Sequence, residues 1–415
     1  MKGAGEKEKG RRDDAKRFSL LSLLFSFSMP QTHEIWIHAL AAKVGGGITY
    51  LRNIVPEFAA QLAGRDVRVV LLLPAPIEGL ELPDFFDVRI QPRSSRNILT
   101  RFVYDQFVLP WQLWREGADA LFCSASFAPL IKTTRTVVLL RNAIYFDNNL
   151  MNRELPARRR SWRLQSLLIA AGAYTCAAVM YPSQAMRDLT ETAFPSLKPR
   201  GFVNLYGVNA GVQGSKFKVQ RRDHDSDSKS PLPTPHSTTF LYVMTYTLQK
   251  NLNFLLRALI QAKAEGLPVQ LVVTSRLDDR PPACWEADWR LIEEHDLINS
   301  GYLKPVGPKY GADLAQLYKQ VDACIFASFC ESFGHPLVEA LAAGKPLVCI
   351  NLPYAREICG EAAIYFHGQQ PQGLVEIWRK WPAPAGEIES LNREELLARF
   401  SWREHTANLI NQLLR

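Results

Sequence analysis

Two glutamates, Glu331 and Glu339, stand with seven residues between them around the turn Ser332-Phe333-Gly334-His335-Pro336. Ionised carboxylates accept hydroxyl hydrogen bonds well, but taken alone the pair reads as a solvated loop carboxylate and a helix-start charge favoured by the dipole. The elements that must hold them can be read on either side. The run Asp322-Ala323-Cys324-Ile325-Phe326-Ala327 is short and apolar, as a buried parallel strand is. Gly334 permits a tight turn. Pro336 suits the first helical position, where a missing N–H costs nothing. Leu337, Ala340 and Leu341, stopped by Gly344-Lys345-Pro346, give a helix of about two turns. Glu331 is therefore expected on a loop at a strand's carboxyl end and Glu339 on the next helix, where open α/β sheets bind ligands. The free N–H groups of that helix start favour a phosphate or diphosphate.

Other chemistry-bearing residues recur at strand ends. Lys43-Val44-Gly45-Gly46-Gly47 follows a strand at 34–39 and opens a helix with apolar residues at 48, 51, 54, 55 and 58. Gly45, Gly46 and Gly47 leave the backbone free of Cβ atoms there, so a ligand can approach closely. The spacing is not the dinucleotide fingerprint, and no nicotinamide cofactor is inferred. Pro56 is expected to kink that helix. Lys250-Asn251 precedes a helix with Leu252, Leu255, Leu256, Leu259 and Ile260. Arg141-Asn142-Ala143 ends the strand after 136. Asn142 can donate a hydrogen bond but cannot act as a base. His38 ends the first strand, where a satisfied structural histidine is the plainer reading. His335 lies in the turn itself, with contact to a donor sugar or phosphate as one reading and packing as the other.

The block around Glu331 resembles the signature of the family-four retaining glycosyltransferases, also called glycosyltransferase group one. The resemblance continues through Ala342-Ala343-Gly344-Lys345-Pro346-Leu347-Val348, then 352–360 and 362–366, and thins out over the rest of the chain from about residue 34. It implies an α/β chain with two Rossmann-like domains facing each other across a cleft, the GT-B fold. It implies transfer of a sugar, with retention, from a nucleotide-diphosphate donor to a hydroxyl acceptor, such as a lipid-linked glycan. Glu331 is then expected at the donor sugar and Glu339 at the ribose hydroxyls, with the Gly45–Gly47 turn, Phe333, Gly334, His335 and Pro336 lining the donor. Relatives clamp the diphosphate with an arginine five residues before the lysine. That position is Thr245 here, so only Lys250 carries over, and the clamp is weaker or completed from elsewhere. Many relatives have a histidine near Asn142. Its absence, with that of the arginine, keeps open the alternative of a catalytically weak sugar-nucleotide-binding subunit; a nucleotide-sugar epimerase of the same fold is the other alternative. Glu331, Lys250 and Asn142 are the residues expected to act in catalysis.

Composition is that of a globular chain: 415 residues, 47% hydrophobic, 22% charged and a formal charge of +8. The excess suits an anionic substrate or a membrane surface and is too small to argue for nucleic acid. The seven cysteines include no Cys-x-x-Cys pair and read as small buried hydrophobes in a reducing compartment. Cys330, beside the site loop, is either a packing residue or a reactive thiol. No metal is inferred: Asp223-His224-Asp225 and Asp225-Ser226-Asp227 lie in polar, Pro/Ser-rich sequence rather than at a strand end.

The expected organisation is a disordered tail at 1–33, an acceptor-side domain at 34–200, a linker at 201–238 with a mobile loop at 214–238, a donor-binding domain at 239–395, and a C-terminal helix at 396–415 that returns to the first domain. Strands are expected at 34–39, 66–73, 87–91, 118–124, 136–142, 177–182, 201–206, 239–245, 269–274, 302–306, 322–327, 346–350 and 363–366. The apolar run Phe18–Met29, twelve residues, is too short to span a bilayer and lacks a cleavage site. It reads as a dispensable tail, with a membrane anchor as the second reading. Arg158, Arg159, Arg160 and Arg163 beside Trp162 read first as the solvated face of a core helix, and second as a contact to anionic lipid. The expected location is cytoplasmic, with the inner membrane face as the place of any peripheral contact.

Overall fold

The computed structural model describes residues 32–43, 46–80, 82–94, 96–153, 156–208, 237–277, 286–382 and 393–415. The tail, most of the 214–238 loop with its Asp-x-Asp runs, Gly45 and Cys284 lie outside the described residues. Among the described residues thirteen strands form two sheets. The first contains β1 (His33–His38), β2 (Val67–Leu73), β3 (Phe86–Ile90), β4 (Ala120–Cys123), β5 (Arg135–Leu139), β6 (Ala178–Tyr181) and β7 (Gly201–Val203), in the order β3-β2-β1-β4-β5-β6-β7. The second contains β8 (Thr238–Tyr242), β9 (Val269–Val273), β10 (Leu303–Pro305), β11 (Ala323–Phe326), β12 (Leu347–Ile350) and β13 (Ile364–Phe366), in the order β10-β9-β8-β11-β12-β13. Every neighbouring pair is parallel.

Parallel strands need crossover helices on both faces, which is why the central strands read as apolar runs rather than as alternating patterns, while the edge strand β3 alternates. In the first sheet Ile35, Ile37, Val69, Leu71, Phe122, Val137 and Leu139 face one core. Their neighbours Trp36, Val70, Leu72, Leu121, Cys123 and Val138 face the other. Each sheet reverses its strand order once, between β1 and β4 in the first and between β8 and β11 in the second. Crevices outside the carboxyl ends of the strands at such switch points are the ligand sites of this architecture.

Two connections join the halves near these crevices. The helix Gln184–Ala193 starts under Glu357, whose carboxylate accepts the backbone N–H groups of Gln184 and Ala185 at 2.6 and 2.8 Å. An anion there satisfies two orphan donors and meets the positive end of the helix dipole. Ser183 Oγ donates to the Ser332 carbonyl at 2.6 Å, tying the same helix cap to the turn after Glu331. The second connection is the helix Trp402–Leu413, capped by Ser401 Oγ, which accepts from the Glu404 N–H. It follows the second sheet in sequence but lies on the first, where Gln61 donates to the Arg403 carbonyl and Arg135 to that of Gln412. Gly207 permits this return: a Cβ there would stand 2.3 Å from the Trp402 backbone nitrogen. The helix Gly46–Leu62 continues through Pro56 as one element.

Candidate active site

The second sheet places Lys250 and Glu331 together at its switch point. After β8 the chain makes a 3-10 turn, Leu248–Lys250, and Asn251 then adopts a left-handed conformation (φ 55°) before the helix Leu252–Ala264. Asn tolerates that region better than most residues, and its amide secures the turn by donating to the Ala327 carbonyl at 3.2 Å. Lys250 therefore ends a turn rather than opening a helix. After β11, Ser328 Oγ donates to Glu331 Oε1 at 2.7 Å, and the Phe329 N–H donates to the Gln249 carbonyl at 2.7 Å. Across the crevice, Lys250 Nζ donates to the same Glu331 Oε1 at 2.5 Å. The side chains are 15% and 16% exposed, so the pair is largely withdrawn from water yet open on one side. Neither side chain is a freely solvated charge.

Gly334 adopts φ 89° and caps the helix His335–Ala342. That places Pro336 second in the helix rather than first, because the left-handed glycine is itself the cap. Glu339 is 7% exposed on the helix and accepts from the Tyr318 hydroxyl at 3.1 Å. Phe333 is 1% exposed, its ring packed against Tyr206 and Phe400, so only its backbone is left to meet a ligand. Cys330 is buried against the first-sheet core, and burial with the nearby Asp147 drives its thiol well above the usual range. It is a protonated packing residue, and the reactive-thiol reading fails.

The first sheet supplies the opposite wall. Gly46 and Gly47 open the helix Gly46–Leu62 after β1. Asn142 precedes the 3-10 turn Ala143–Tyr145, half-buried and without a side-chain capping bond. Arg141 beside it extends toward the glycines: its Nη2 would lie 3.4 Å from a Cβ on Gly47 and 3.8 Å from one on Gly46. His38 is structural. Its Nε2 meets Asp105 Oδ1 at 2.8 Å, with the side chains only 2% and 6% exposed. Burial acts to raise the Asp105 carboxyl, but His38 and Arg101 together hold it below its ordinary value.

Sequence reading missed the aromatic cluster that joins these walls. Tyr206 stacks on His335 with ring centroids 5.0 Å apart and 5° between planes, and on Trp402 at 5.5 Å. Tyr50 and His405 complete it, with Tyr50 Oη 2.8 Å from His405 Nε2. His405 Nδ1 lies 3.0 Å from the Leu205 carbonyl, which can only accept. The proton is thus on Nδ1, and Nε2 accepts from Tyr50. Burial holds His405 down to about 4, and burial with Arg141 and His405 holds His335 down to about 3.

Both rings are therefore neutral in the fold. Above about pH 6.5 they are neutral in the unfolded chain as well, and stability is unaffected. Below it the unfolded chain takes up protons that the folded chain refuses, so stability falls as the pH drops toward the folded values. At pH 5 the buried His405 alone accounts for a loss of about 2 kcal/mol, with a further share from half-buried His335. Thermal melts at pH 7.5 and pH 5.0 are expected to show this drop, and His405→Gln to flatten it. An equal drop in the variant would contradict the assignment.

A cation and a carboxylate are thus paired at the switch point of the second sheet, where two-sheet α/β chains of this kind bind ligands. Residues 237–380 match the family model of the glycosyl transferases group 1. The chain carries a group 1 glycosyltransferase domain and has the GT-B fold. It is similar to O-antigen chain mannosyltransferase B of Escherichia coli, 27% identical over 182 residues, or 41% of this chain. The match spans 44% of that relative's length. In fold it is similar to the sucrose-phosphate synthase of Thermosynechococcus elongatus (TM-score 0.65, 15% identity, 91% of this chain and 98% of that one). It is also similar to HepE of Anabaena, solved in complex with UDP-glucose (TM-score 0.64, 16% identity, 92% of this chain and 100% of that one).

Proposed function

We infer that the protein transfers a hexose, with retention, from a nucleoside-diphosphate donor to a hydroxyl of a growing polysaccharide carried on lipid. The observation that carries this reading is the Lys250–Glu331 pair at the β8/β11 switch point, within the matched domain. The C1–O bond to the diphosphate breaks, the acceptor oxygen bonds to C1, and the acceptor proton passes to a leaving phosphate oxygen. As C1 becomes oxocarbenium-like, the Glu331 carboxylate faces positive charge on the sugar, and Lys250 faces negative charge on the diphosphate. Asn142 orients the reactants by hydrogen bonding. The chemistry requires no bound metal in this reading, because fixed cations and helix-start amides take up the diphosphate charge.

The mannosyltransferase relative favours a mannosyl donor and an O-antigen-like acceptor. It also favours transfer over epimerisation or a binding role alone. An outward face fits the lipid-linked acceptor: Leu99, Phe107, Trp111 and Trp114 are 68%, 64%, 50% and 72% exposed along 98–116, with Arg115 over the Trp111 ring. Aromatic and basic groups so combined suit peripheral contact with an anionic membrane surface on the cytoplasmic side. Among the described residues no helix is long and apolar enough to cross a membrane. The test is incubation of the purified chain with GDP- and UDP-hexoses and membrane lipid extract. Glycoside formed on lipid supports the reading, and sugar-nucleotide isomerisation without a glycoside contradicts it.

Glu339 is expected at the donor ribose. Glu339→Ala should weaken nucleoside diphosphate and full donor alike, by about 1.5–3 kcal/mol, because a carboxylate accepting hydroxyl bonds is lost. Calorimetry with the diphosphate reads this directly. Unchanged affinity in a folded variant would leave Glu339 a structural residue that holds the Tyr318 hydroxyl.

A further inference from the structure

The second sheet is short of charge for its ligand. Thr245 stands where a second clamping cation is expected, and it is exposed and uncharged. The Lys250 charge is matched by Glu331 at 2.5 Å, so this wall offers a diphosphate little net positive charge. The first sheet holds the missing group. Arg141 leaves the end of β5, and its guanidinium reaches the start of the helix Gly46–Leu62, 5.8 Å from the Tyr50 ring centroid. Its field also acts on His335, at the start of the helix after Glu331, and on Tyr206. Arg141 is thus close to both the glycine turn and the signature turn. It is half-buried and forms no ion pair among the described residues. A guanidinium held partly out of water with no carboxylate is costly unless an anion joins it, and its planar fork matches phosphate oxygens.

We propose that Arg141 is the second cation of the donor diphosphate site, supplied by the first sheet in place of the arginine absent at Thr245. This rests on the glycosyltransferase reading above. One diphosphate then meets Arg141 from the first sheet and Lys250 from the second.

The test is calorimetric titration of the full chain with UDP, GDP, uridine and guanosine. The wild type is compared with Arg141→Gln, Arg141→Met and Arg141→Lys. Gln and Met remove the charge, and Met keeps an unbranched chain over Tyr50, so either variant serves if the other fails to fold. Both are expected to weaken the preferred diphosphate at least tenfold and to leave the nucleoside unchanged. Arg141→Lys is expected to recover part of the loss, and the deficit should shrink in high salt. Unchanged diphosphate affinity in Arg141→Gln or Arg141→Met, or an equal loss for nucleoside and diphosphate, overturns the assignment. Wild-type protein that binds neither UDP nor GDP overturns the glycosyltransferase reading as well, whereas the first outcome leaves that reading standing.

Discussion

Replacing Lys250 with alanine is expected to lower turnover on the order of a hundredfold, more than it lowers donor affinity. The leaving diphosphate gains negative charge in the transition state, so a fixed cation contributes more to the barrier than to ground-state binding. The structure adds a second effect. Glu331 Oε1 is the partner of Lys250 Nζ, and without the lysine this carboxylate faces the diphosphate uncompensated. Diphosphate affinity should therefore fall as well, by roughly tenfold from like-charge repulsion in a site that is only partly solvated. Lys250→Arg should recover part of the rate, because charge returns on a different geometry. The measurements are kcat under saturating donor and the calorimetric Kd of the nucleoside diphosphate. Near-normal turnover in a folded Lys250→Ala enzyme would remove this residue from the mechanism.

Replacing Glu331 with glutamine is expected to lower turnover by a similar factor, on the order of a hundredfold, while diphosphate affinity moves the opposite way. Glutamine can still bond to a sugar hydroxyl and to Ser328, but it carries no charge to face an oxocarbenium-like carbon. Lys250, released from its partner, meets the diphosphate with its full charge, and nucleoside diphosphate should bind roughly threefold tighter. Opposite signs on affinity with parallel losses of rate are specific to a pair that divides its work between sugar and leaving group. If both substitutions weaken the diphosphate equally, the pair is a structural ion bridge and not a division of charge.

The local signals in this chain were strong because they act over a few residues. Apolar runs marked the central strands such as β2, β4, β9 and β11, since parallel strands covered on both faces leave no polar alternation, whereas the edge strand β3 alternates Phe-Asp-Val-Arg-Ile. Gly334 marked a turn that the fold realises at φ 89°. Lys250-Asn251 precedes its helix as read, with left-handed Asn251 as the cap. The one local shift is at Pro336, second in its helix rather than first, because left-handed Gly334 occupies the capping position.

By itself, then, the sequence determined a parallel α/β chain with two carboxylates at a strand-to-helix turn, a glycine turn and one lysine at a second strand end. Only the tertiary structure decided which of these meet. Lys250 and Glu331 lie 81 positions apart and touch because β8 and β11 are neighbours at the switch point. His335, Tyr206 and Trp402 stack because the last helix returns to the first sheet past Gly207. Arg141, read from sequence only as the residue before Asn142, becomes a site residue because the end of β5 faces the glycine turn. Turn and strand preferences are written in neighbouring residues. Charge pairing across a cleft depends on strand order and on the approach of two sheets, which no local pattern encodes.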